Sequence, residues 1–165
     1  MKTTGILAVL FSLTIIASCD SSSPTGETVS EQGNTGSVSG SAVVSSVSFS
    51  GGPGNYNFSV TVESPDTDCN QYADWWEVID SEGTLLYRRI LAHSHVGEQP
   101  FTRSGGPVNI AADQAVIVRA HMNNLGYGTQ VFSGSVAQGL SESSIDRDFA
   151  AELESAAPLP DGCAF

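Results

Sequence analysis

Residues 56–62 read Tyr-Asn-Phe-Ser-Val-Thr-Val, and this strict alternation constrains the fold more than any other feature of the chain. Four apolar side chains at period two, separated by Asn57, Ser59 and Thr61, share one face of a strand; at helical period they would scatter around the circumference. A similar segment precedes it, with Val43, Val47 and Phe49 apolar and Ser46 and Ser48 polar. Between the two, Gly51-Gly52-Pro53-Gly54-Asn55 has the composition of a turn. Its glycines would suit a phosphate cradle, but no helix follows to supply an N-terminal dipole, so the segment is read as a loop.

Further strand patterns cover residues 75–80 and 84–91, flanking Ser81-Glu82-Gly83, where Gly83 is expected in the left-handed position of a hairpin. Others cover residues 108–110, 115–120 and 130–136. About seven short strands with turn residues between them predict an all-β fold, an antiparallel β-sandwich over residues 38–139. The strand count, with a Trp on the third strand, resembles immunoglobulin and fibronectin type III domains. The chain departs from them in having no cysteine pair on the second and sixth strands and no corner tyrosine. The resemblance implies architecture and no function. In residues 140–165, Ser144 is expected to cap a short helix with Ile145, Phe149 and Leu153 on one face, ended by Pro158 and Pro160.

The first residues read as an address. Met1 and Lys2, an apolar run over residues 6–16 and small residues before Cys19 make a secretory signal too short to span a bilayer. Its end, Ile16-Ala17-Ser18-Cys19, resembles the lipobox of bacterial lipoproteins. That resemblance implies removal of a signal peptide over residues 1–18, acylation of the Cys19 thiol with a palmitate-like chain and acylation of the new amino terminus. The mature chain would then be anchored by lipid in the bacterial cell envelope, facing the periplasm or the exterior. Residues 19–37 are mostly Ser, Gly, Thr, Asn and Glu with few apolar side chains, a flexible tether spanning roughly 23 Å. With Cys19 taken by lipid, Cys69 and Cys163 remain in an oxidising compartment, and a disulfide between them is expected to tie down the C-terminal tail.

Charge excludes one class of partner. The chain carries 18 acidic against 6 basic residues, a net charge of −12. Nucleic acid is therefore not expected, since counterion release needs clustered Lys and Arg. Much of the excess falls in the tether and in the last 26 residues, where it favours solubility and spacing near a membrane.

Three groups of residues bear chemistry. His93 and His95 lie two apart and point the same way in extended chain, while His121 ends a predicted strand; together, with Glu98 as a further ligand, they would form a zinc or copper site, although the spacing matches no ligand motif and polar loop or capping roles are the competing reading. Trp75 and Trp76 must face opposite sides of their strand. One enters the core, and the other either stacks on carbohydrate or a partner protein or is covered by the Phe149 helix. Arg88 and Arg89 are split in the same way, and the inward one needs a carboxylate such as Glu77 across the hairpin. Glu63, Asp66, Asp68 and Asp74 offer oxygen ligands of the kind calcium takes, but without EF-hand spacing they read as a solvated acidic loop. No Gly-x-Ser-x-Gly elbow and no His-Glu-x-x-His occurs, so an enzyme is not expected. The expected function is a lipid-anchored extracytoplasmic sandwich that binds or scaffolds a protein or carbohydrate ligand and needs no cofactor. A histidine-based metal-binding lipoprotein is the alternative, followed by a small hydrolase.

Overall fold

A computed structural model of the chain describes residues 40–164. The expected signal peptide, the lipidated Cys19 and the tether over residues 19–37 lie outside the described residues.

Within them run nine strands: β1 (Val43–Gly52), β2 (Asn55–Glu63), β3 (Ala73–Asp80), β4 (Leu85–Ile90), β5 (Phe101–Val108), β6 (Val116–Met122), β7 (Gly126–Tyr127), β8 (Gln130–Ser135) and β9 (Gly139–Ser144). One sheet has the order β1-β2-β5. The other runs β4-β3-β6-β8-β9, with the two-residue β7 pairing to β6. Every pairing is antiparallel. The expected all-β sandwich is the fold observed.

The alternation in β2 does what its period requires. Tyr56, Phe58, Val60 and Val62 are buried and pack with Trp76 and Val78 of β3 and Val118, Ala120 and Met122 of β6. Each such side chain contributes about 1.5–3 kcal/mol through its removal from water. The β1–β2 turn brings Gly52 opposite Asn55 and Phe49 opposite Phe58, whose rings meet at 6.0 Å.

The β3–β4 hairpin turns through Gly83 at φ 86°, the left-handed conformation that its position demanded. Asp80 Oδ1 accepts from the backbone N–H groups of Thr84 and then Glu82, at 2.8 and 2.9 Å, which hold that carboxyl below its ordinary pKa. A Cβ at residue 83 would lie 2.7 Å from the Cβ of Ala150. Gly83→Ala combines that clash with a left-handed backbone and should cost about 1–2 kcal/mol, measured as a fall in the urea midpoint.

The C-terminal region departs from expectation. Ser144 ends strand β9 instead of capping a helix, and the only helical turn among the described residues is a 3-10 turn over Ala151–Ser155. Ala150 precedes it in left-handed conformation at φ 51°. The cause lies in β4 and β6. Arg119 donates to the carbonyls of Phe149 and Ala150, and Arg88 donates to those of Leu153, Ala156 and Pro158. An α-helix would need several of these carbonyls for its own i→i+4 bonds.

Candidate functional site: an acidic cleft at the end of the large sheet

Trp75, Glu77 and Ile79 leave β3 on the face away from the inter-sheet core, yet β3 is buried along almost its whole length. The tail over residues 145–160 supplies the cover. Beneath it Glu77 is fully buried and bridges two arginines. Its Oε2 accepts from Arg88 Nε at 2.8 Å, and its Oε1 accepts from Arg119 Nε at 2.8 Å. All three side chains are inaccessible to water. Glu77 and Arg88 therefore pair across the hairpin as their opposite positions predicted. Tyr127 packs under Arg119, whose guanidinium carbon lies 3.4 Å from the ring centroid. Burial, and then the Glu77 charge, push the Tyr127 phenol far above its ordinary pKa, so it stays protonated.

Neither Trp is free to bind a ligand by its face. Trp76 lies in the inter-sheet core at 0% exposure. Trp75 is 3% exposed and held between neighbours on both sides of its strand. From β6 the His121 ring stacks on it at 3.7 Å and 6°, and from β4 the Arg88 guanidinium lies 4.3 Å from its centroid. Of the two readings for the outward Trp, cover is the one observed, supplied by His121 and Arg88 and not by a Phe149 helix, so neither Trp75 nor Trp76 offers a face for sugar stacking.

The three-histidine metal site, the alternative reading of His93, His95 and His121, is not formed. His121 Nδ1 lies 2.6 Å from Asp74 Oδ1, while His93 and His95 line a different pocket with Arg89 and Arg103. Among the described residues no three His, Cys, Asp or Glu side chains are grouped to hold a metal ion. Nor is the acidic run a solvated loop throughout. Asp66 is buried, accepting from the Ser64 hydroxyl and the N–H groups of Ala73 and His95, and Asp74 is buried against His121.

A local irregularity produces the Asp74–His121 pair. Ala73 pairs with Met122 and Trp75 with His121, so two steps on β3 oppose one on β6 and Asp74 is the extra residue of a bulge. A bulge re-aims the side chain it carries, here toward His121. This pair lines a cleft of about 690 Å³ whose walls include Tyr72, Trp75, Leu125, Glu154 and Leu159. Glu154 Oε1 faces His121 Nε2 at 3.6 Å. Asn123 fixes the wall by accepting from the Tyr72 N–H at 3.0 Å and donating to the Cys69 carbonyl at 3.0 Å. The Tyr72 hydroxyl is held above its ordinary pKa by burial and then by the Asp74 and Asp66 carboxylates, a mark of negative potential in the cleft. Leu125 and Leu159 stand exposed at its rim.

The tail that forms one wall is anchored beyond the cleft by the expected disulfide, Cys69–Cys163, with Cα atoms 5.6 Å apart. The Ala164 N–H then bonds the Ala92 carbonyl at 2.6 Å.

Over 73 residues the chain is 42% identical to a curated protein of Halomicrobium mukohataei named "Putative lipoprotein", a stretch covering 44% of this chain and 36% of that relative. The chain thus spans little more than a third of the length of the relative it matches. No family model and no solved structure matches it.

Proposed function

We propose that the protein is a lipid-anchored, extracytoplasmic β-sandwich that binds a small ligand in the cleft beside Asp74, His121 and Glu154, without catalysing a reaction. The cleft is the observation that carries this reading. It joins two carboxylates and an imidazole to exposed leucines at the rim, a lining suited to a ligand with a positively charged, hydrogen-donating head and a short apolar arm. The name of the partial relative and the residues Ile16-Ala17-Ser18-Cys19 support the anchor. The strand partition, β1, β2 and β5 against β3, β4, β6 and β8 with β7 and β9 added to the second sheet, supports an immunoglobulin-like architecture for the displayed domain.

Both halves of the proposal are tested on the full chain. Cys19→Ser should move the protein from the membrane fraction to the soluble one, and retention in the membrane would remove the anchor. Butylammonium should give a saturable change in Trp fluorescence through Trp75, weakened about tenfold in Glu154→Gln, whereas butanol should give none. Equal responses to the cation and the alcohol would remove the cleft as a cation site.

A further inference from the structure

A second pocket, of about 110 Å³, is lined by Arg89, Ile90, Leu91, Ala92, His93, His95 and Arg103. Its position follows from the topology. β4 and β5 edge different sheets, and Arg89 Nε bridges them by donating to the Ser104 carbonyl at 3.1 Å. The loop over residues 91–100 closes the pocket and is pinned at both ends and in the middle: the Leu91 N–H donates to the Asp74 carbonyl at 2.8 Å, the His95 N–H to Asp66 Oδ2 at 2.8 Å, and Gln99 Oε1 accepts from the Ser64 N–H at 2.9 Å.

His95 is the unexplained element. Its side chain is 0% exposed, and neither ring nitrogen has a hydrogen-bond partner. Buried polar atoms left in this state are uncommon and costly. The ring stacks on Phe101 at 3.7 Å and sits 4.5 Å from the ring of His93. Asp66 Oδ2 is 3.8 Å from Nδ1, beyond hydrogen-bond reach, and that carboxylate already accepts three other donors.

The charges around this imidazole decide what it suits. Arg89 spends Nε and Nη1 on backbone carbonyls and has no carboxylate in ion-pair range among the described residues. Arg103 pairs only with Glu98, in an exposed contact that water weakens. No acidic side chain lines the pocket, although the chain has three acids for every base. Two guanidinium groups repel a metal cation from the two imidazoles, so the zinc or copper expected of His93 and His95 is disfavoured here. A negative ligand meets the opposite field and finds fixed donors.

We propose that this pocket binds a small oxyanion, the sulfate, phosphate or carboxylate group of a ligand, through Arg89, Arg103 and the imidazoles of His93 and His95. The site is separate from the acidic cleft and does not depend on what the cleft binds. His95 is held below its ordinary pKa by burial and then by Arg103 and His93, against opposing contributions from Asp66 and Glu98. A bound anion reverses that balance and draws a proton onto the ring, so binding tightens as pH falls.

The test is an NMR titration of the full chain with sodium sulfate and, separately, sodium acetate at constant ionic strength. Sulfate stays doubly charged across the range used, so any pH dependence belongs to the protein. Saturable shifts at His93, His95 and the two arginines are expected, with sulfate affinity rising about fivefold or more from pH 7.5 to 5.5. Preference for sulfate assigns the group to a sulfate or phosphate ester, and preference for acetate to a carboxylate. Arg89→Gln and Arg103→Gln should each weaken binding about tenfold while Arg147→Gln leaves it unchanged. Shifts that never saturate with either anion, or saturation unaltered in both pocket variants, would overturn the proposal.

Discussion

Glu77→Ala is expected to remove about 3–5 kcal/mol of folding stability, the range for breaking a buried ion pair by deleting one partner. Two guanidinium groups would remain in a site closed to water with no anion between them, and their mutual repulsion would fall on the backbone carbonyls they hold. The effect should appear first in the tail. Limited proteolysis should cut within residues 145–160 in the variant under conditions that leave the wild type intact, and urea unfolding should show the lower midpoint. Replacing all three charged residues by apolar ones of similar volume is often neutral for a buried ion network. Here it should not be, because the carbonyls of Phe149, Ala150, Leu153, Ala156 and Pro158 would lose their arginine donors. A Glu77→Ala protein as stable as wild type would show that the triad does not hold the tail.

Opening the Cys69–Cys163 disulfide should cost a similar amount by a different route. The cysteines are 94 residues apart, and the chain-entropy relation gives about 4–5 kcal/mol for a loop of that size. Most of this reflects freedom regained by the unfolded chain, so the reduced protein should keep its sandwich while its melting temperature falls by roughly 10 °C or more. Thermal unfolding with and without a thiol reductant measures it; a shift below about 2 °C would mean that the guanidinium clamps alone set the stability of the tail. The two devices hold one segment at successive points, so Cys69→Ala combined with Arg88→Ala should depart from additivity.

How much of this was legible in the sequence differed from strand to strand. β2 announced itself because one of its faces is buried and the other is not, and that contrast is what period two records. β3 carries no such contrast, since the tail buries its second face and Trp75 and Glu77 become as inaccessible as Trp76. β5 was missed at Phe101–Val108 because Gly105, Gly106 and Pro107 interrupt any apolar rhythm. Gly106 is required there, since a Cβ would fall 2.7 Å from the Tyr56 carbonyl oxygen. β9 was missed because an edge strand of Gly, Ser and Glu has almost nothing apolar to repeat.

The sites follow the same logic. Glu77 with Arg88 was readable because facing strand positions and opposite charges are local information. The Asp74–His121 pair was not, since a bulge that inserts one residue leaves no mark in composition. The histidines were linked because two of them share a strand-like spacing. The folded chain separates His121 from that pair and surrounds the other two with Arg89 and Arg103, whose nearness only the β4–β5 edge reveals.

The arginine clamps hold the tail by main-chain oxygen atoms, which every amino acid supplies alike. Apart from Glu154 and Leu159, which line the cleft, and Ala150, which packs on Gly83, residues 145–160 are therefore specified more in path than in identity, and their side chains are exposed or only half covered. Such a segment can be rewritten at its outward positions while the arginines and the disulfide keep its course. It would serve as a rigid frame for displaying a foreign peptide, outside the membrane if the chain is anchored as proposed.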